Sequence, residues 1–184
     1  METKYIYLIF SKTGTWLSNL ISIITKSPYT HVALSFDDKF NSLYTFGRVN
    51  PNNPFSGGFT IESLNAGVYK KCLSSSCSIY KIPVTFEQLN RLKKELDKFV
   101  YSDMTFRYNF LGLIFLLLDK PFERKRHYFC SQFVTMLLEK SDIWHSSKAI
   151  GLTRPMDLMI IENKELIFKG FVNNIFINDE TLTA

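Results

Sequence analysis

The sequence predicts an α+β fold, and three observations carry that expectation. Segments with the short period and aromatic, β-branched composition of strands interleave with segments of helical period. The first well-matched pair of strands is joined by a short turn, so sheet pairing begins antiparallel. No linker, internal repeat or low-complexity tract divides the 184 residues, a length that suits a single domain with a self-sufficient core.

"KYIYLIF" (4–10) is rich in aromatic and β-branched residues and reads as the first strand. The period then changes. In "TGTWLSNLISIIT" (13–25), Trp16, Leu17, Leu20, Ile21 and Ile24 recur at helical spacing, Thr13 or Thr15 offers a cap, and Pro28 ends the helical zone. "THVALSF" (30–36) and "SLYTFGR" (42–48) flank "DDKFN" and read as a hairpin. Alternation groups Val32, Leu34 and Phe36 with Tyr44 and Phe46. The opposite face then carries His31, Ala33, Ser35, Thr45 and Gly47.

"VNPNNPFSGG" (49–58) has no period and reads as a loop, either an ordered surface loop or a lid over a substrate. "CSIYKIPV" (77–84) is the next strand. Residues 85–101 form the clearest helix, with Leu89, Leu92, Leu96 and Phe99 on one stripe. A further helix covers 108–118, and "DKPFERKRH" links it to a helix entered at Cys130. Pro155 opens a short helix, and "ELIFKGFV" (165–172) is the last strand.

Composition narrows the function classes. A chain 46% apolar and 21% charged buries enough surface to fold, which excludes a disordered tail or linker. The net charge of +5 suits an anionic partner, whether wall polymer, lipid surface or nucleic acid, but selects none of them. Cys72, Cys77 and Cys130 make an odd set with no disulfide framework, which points to a reducing compartment. "YIYLIF" is too short for a secretory core, and the longest uncharged apolar run, 110–118, is far below the ~20 residues that cross a bilayer. A cytoplasmic protein with at most peripheral membrane contact is expected. "CLSSSC" has no second ligand pair for zinc, and "FSGGF" does not fit a phosphate loop. The reading calls for no cofactor and no nucleic-acid partner.

Cys130 is the residue on which chemistry turns. Phe133, Val134, Leu137 and Leu138 follow it at helical spacing, so it faces inward on the first turn of its helix. Free N–H groups and the positive end of the helix dipole favour a thiolate there and offer donors to an oxyanion. The competing reading is a small buried core thiol. A nucleophilic cysteine needs a base held by a third group. His127 is three residues away on the entering turn, and His145 lies beyond the helix, about 20 Å along at 1.5 Å per residue. His31, on the polar face of the hairpin, is free to pack against Cys130. Thr45 shares that face and is the expected third residue; Tyr44, Glu62 and Asp37 are alternatives.

"YTHVALSFDD", "LYTFGRVNPNNPFSGGF" and "YFCSQFV" together resemble the circularly permuted NlpC-type cysteine hydrolases, the YiiX-like branch of the papain-like superfamily. In that branch the histidine strand precedes the cysteine helix, as His31 precedes Cys130. The resemblance covers roughly residues 4–160. It implies one domain over residues 1–184, a small antiparallel sheet with the cysteine helix packed against it, and acyl chemistry through a thioester. It also implies that Cys130 is the nucleophile and His31 its base. The matching strand offers Thr45 or Tyr44 where the family more often has an acidic, amide or histidine side chain.

The expected function is a thiol hydrolase cleaving an amide bond in a peptide or acyl-bearing small substrate, peptidoglycan-type peptides included. Two alternatives stand beside it. One is a lipid-directed thiol acyltransferase or phospholipase, since the motif order also resembles the lecithin–retinol acyltransferase group and 110–118 beside "KPFERKR" suits a membrane surface. The other is a binding protein on a degenerate hydrolase scaffold.

Overall fold

The computed structural model describes residues 3–13, 22, 27–50, 56–72 and 74–175. Among these, eight strands form one sheet: β1 Lys4–Lys12, β2 His31–Ser35, β3 Leu43–Arg48, β4 Gly57–Glu62, β5 Ser76–Val84, β6 Arg107–Tyr108, β7 His127–Tyr128 and β8 Glu165–Phe171. Their order is β7-β6-β4-β3-β2-β1-β5-β8. The α-helices are α1 Gly67–Lys71, α2 Phe86–Val100, α3 Phe110–Leu117 and α4 Cys130–Lys140.

The class is α+β, as expected, but the sheet is larger than the small one implied by the resemblance. Three strands account for much of the difference. β4 opens with Gly57 and Gly58, which belong to the aperiodic run read as loop. β6 and β7 are two residues each, too short to show any period, and they form the parallel pair in an otherwise antiparallel sheet. The helix read over 13–25 falls, apart from Thr13 and Ser22, outside the described residues, as does the centre of the 49–58 loop.

Both faces of the central strands are covered. Ile6, Leu8, Phe10, Val32, Leu34 and Phe46 pack under α2 and α4. Tyr7, Ile9, Ala33, Leu43, Cys77 and Ile79 pack on the other side with Leu64 and Tyr69 of the α1 region. A strand buried on both faces reads as a continuous apolar run, which explains "YIYLIF" in β1.

α2 begins with a reciprocal cap. The Gln88 amide donates to Thr85 Oγ1 at 3.1 Å, and the Thr85 amide donates to Gln88 Oε1 at 2.9 Å. Leu92, Leu96 and Phe99 form its buried stripe. Thr85→Ala should cost about 1 kcal/mol of unfolding free energy, read as a lower denaturant midpoint at unchanged slope.

α4 is the element that places the site. It crosses β2 and β3, and every residue from Cys130 to Leu138 is buried. Phe133 sits among Phe46, Phe59 and Phe99, with ring centroids 5.1, 5.7 and 5.0 Å away. The buried Ser131 hydroxyl donates to the Thr153 carbonyl at 2.7 Å and ties the first turn of α4 to the segment after it.

Candidate active site

Cys130 is the first residue of α4, entered from an extended, fully buried Phe129. The Phe133 amide closes the first turn on the Phe129 carbonyl at 3.0 Å. The amides of Val32 and Ser131 donate to Sγ, and the Thr30 carbonyl lies 4.0 Å from it. The thiol therefore sits where the helix N-terminus meets the start of β2.

His31 is the first residue of β2, and its imidazole and the Cys130 thiol lie near enough to shift each other's protonation. Its Nε2 donates to Glu62 Oε2 at 3.3 Å. Glu62 closes β4, two strands away from His31 in the sheet. The two side chains are only 17% and 15% exposed, so their charge interaction is weakly screened by water.

Thr45, the expected third residue, does not meet the imidazole. It is fully buried, and its hydroxyl donates to the Val32 carbonyl at 2.8 Å. The reason lies in the hairpin. Regular pairing of β2 with β3 is confined to Leu34 opposite Tyr44. Toward His31 the backbone of Val32 turns to other partners: its amide to Cys130 Sγ and its carbonyl to Thr45. Thr45 holds the two strands together where the ladder ends. Tyr44 packs its ring on Phe36, and Asp37 accepts from the Lys39 and Asn41 amides in the turn.

The group that meets His31 is Glu62, one of the alternatives. It reaches the ring because Gly47 has no side chain. A Cβ at Gly47 would lie 2.6 Å from Glu62 Oε1 and 3.5 Å from His31 Cε1. Gly47→Ala should displace Glu62 and shift the pH midpoint of Cys130 alkylation upward, in a chain that still folds.

Electrostatics follow from these contacts. Burial opposes a charged imidazole, but the Glu62 charge and the hydrogen bonds to Cys130 and Glu62 outweigh it and lift His31 to about 10. Burial likewise opposes a thiolate, but the His31 hydrogen bond and charge, with the Val32 and Ser131 amides, hold Cys130 below the ordinary thiol range. Each partner thus favours the charged form of the other: the imidazolium draws the thiol down, and the thiolate helps hold the imidazolium. Cys77 shows the contrast: it is buried without such partners, and burial alone pushes its thiol up to about 12. At pH 7, iodoacetamide should modify Cys130 and leave Cys77 untouched in the folded protein, as read by peptide mass mapping. Equal, slow modification of both would make Cys130 an ordinary core thiol.

A cavity of about 310 Å³ opens beside the thiol. Cys130, Tyr108, Leu113, Leu116 and Met156 give it an apolar wall, and Lys148 and Arg154 line it as well. Tyr108 comes close because β4 presents a glycine to it: a Cβ on Gly57 would lie 2.5 Å from Tyr108 Cβ. Burial, then the charge of Cys130 and a hydrogen bond to it, hold the Tyr108 phenol well above its ordinary value, so its hydroxyl remains a donor. The sequence reading missed Gly47 and Tyr108. The only available signal was that Gly47 shares the His31 face.

The other two histidines lie apart from this site. His127 Nδ1 donates to the Lys125 carbonyl at 2.9 Å, and His145 pairs with Asp142 at 3.0 Å. No helix among the described residues is long and apolar enough to cross a membrane. Comparison of the chain with protein-family models and with curated proteins finds no match.

Proposed function

We propose that this protein is a cysteine hydrolase that takes an acyl group from an amide onto Cys130 and passes it to water. The observation that carries the reading is the Cys130–His31–Glu62 chain, with Cys130 lining a cavity. The resemblance to the permuted NlpC-type hydrolases adds to it, since that family orders its histidine and cysteine in the same way.

In the proposed reaction the Cys130 thiolate attacks the substrate carbonyl carbon, and the carbonyl electrons move onto oxygen. First-turn amides of α4, which have no intrahelical acceptor, and the Tyr108 hydroxyl are the donors at hand for that oxyanion. Collapse breaks the C–N bond, and the His31 imidazolium gives its proton to the departing amine. The remaining thioester is attacked by water. His31 takes the water proton, the C–S bond breaks, and thiolate and acid are released. Glu62 keeps the ring in one orientation and favours its charged form.

An acyltransferase or phospholipase is the second reading, favoured by the aliphatic lining of the cavity from Leu113 and Leu116. Mass spectrometry after incubation with amide and ester acyl donors separates the two. An acyl adduct on Cys130, absent from Cys130→Ala, is expected, and the faster donor class identifies the bond cleaved. Turnover by Cys130→Ala equal to wild type would overturn both.

A further inference from the structure

α3 is apolar on all sides, yet it is packed on only one. Gly112 and Leu116 are buried, and Leu113 and Leu116 line the Cys130 cavity. On the outer side Leu111, Ile114 and Leu117, with Leu118 just beyond, are 40–62% exposed. A helix apolar all round belongs in a core or against a membrane. Here the core supplies half of that environment.

The segment that follows is built into the same unit. Phe122 stacks on Phe115 with centroids 4.5 Å apart and planes 11° apart. The Lys120 amide donates to the Phe115 carbonyl at 3.0 Å, and Asn109 Nδ2 donates to the Phe122 carbonyl at 3.1 Å. The chain 119–126 is thereby folded back against α3. It presents Lys120, Arg124, Lys125 and Arg126 to solvent, against Asp119 and Glu123. None of the four cations has an ion-pair partner among the described residues. Exposed aliphatics bordered by unpaired cations match an anionic bilayer, with acyl boundary beneath and phosphate above.

We propose that α3 and the 119–126 segment form a docking surface for an anionic lipid bilayer. α3 then stands between bilayer and catalytic cavity, its outer side in lipid and its inner side lining the space beside Cys130. The substrate is accordingly an acyl chain carried by the membrane. That statement of substrate rests on the thiol-hydrolase reading; the docking does not.

The test is flotation of the full chain with vesicles of phosphatidylcholine alone and of phosphatidylcholine with phosphatidylglycerol. Wild type and Cys130→Ala should float equally with the anionic vesicles and poorly with the neutral ones. Ile114→Glu/Leu118→Glu should lower the bound fraction by about tenfold or more, as expected for losing two inserted side chains. Both positions are more than half exposed, so the melting curve should not move. Arg124→Glu/Lys125→Glu should weaken binding to anionic vesicles, and salt should do the same to wild type. No flotation of wild type with anionic vesicles would overturn the proposal. So would undiminished flotation of Ile114→Glu/Leu118→Glu, or a wild-type dimer in sedimentation that this double variant abolishes, since a second copy would then cover the face. Flotation as expected, with no acyl adduct from any donor, would keep the docking surface and remove the hydrolase reading.

Discussion

Glutamine in place of Glu62 is expected to move the alkylation profile of Cys130 to higher pH and to slow turnover about a hundredfold, within the range set by loss of a well-held acid–base group. The side chain keeps its size and a hydrogen-bonding oxygen, so the ring stays in place while the charge is lost. The Glu62 charge is a main reason His31 is lifted to about 10 against the effect of burial. Without it the imidazolium gives up its proton nearer the ordinary value. A neutral ring no longer draws the Cys130 thiol down, so the thiolate forms later in a titration. The sign for stability follows. A raised histidine contributes fully below the unfolded value of 6.5, and that contribution is lost as pH rises toward about 10. Wild type should therefore lose this contribution across that window, and the Gln variant should show a smaller loss ending at lower pH. Melting scans from pH 6 to 10 read the difference. Superimposable alkylation profiles for the two proteins would remove Glu62 from the site.

Phe133→Ala should be the most damaging single change to the fold, costing about 3–5 kcal/mol. Total stability of a domain this size is of the order of 5–15 kcal/mol, so the variant would lose a large share of it. Phe133 is fully buried one turn behind Cys130, and its ring is held by Phe46 of β3, Phe59 of β4 and Phe99 of α2. Those three elements cannot close on an alanine together, because each is fixed by the sheet or by its own cap. The cavity would sit beneath the first turn of α4, so the Cys130 profile should broaden as well. Urea denaturation checks the magnitude; a loss below about 1 kcal/mol would mean the aromatic cluster collapses onto the gap.

Much of this was legible in the chain. The helical phase after Cys130 correctly turned it inward, because that period acts over a few residues and α4 is buried along its length. The alternation in 30–36 correctly put Val32 and Ala33 on opposite faces. The helix at 85–101 announced itself through its apolar stripe. The third residue was not legible. Thr45 shares the His31 face, and a face argument cannot show that the β2–β3 ladder stops early and turns its hydroxyl to Val32.

The sequence by itself determined the α+β class, the inward thiol at a helix N-terminus, and His31 as the histidine free to reach it. Each rests on local period and chain order, which act before any long-range contact forms. The tertiary structure alone decided that Glu62 holds the ring, that Gly47 makes room for it, and that Tyr108 and α3 wall the cavity. Those outcomes depend on which strands become neighbours and in what register. Burial of both sheet faces selects that arrangement across the whole chain, and no short stretch of sequence contains it.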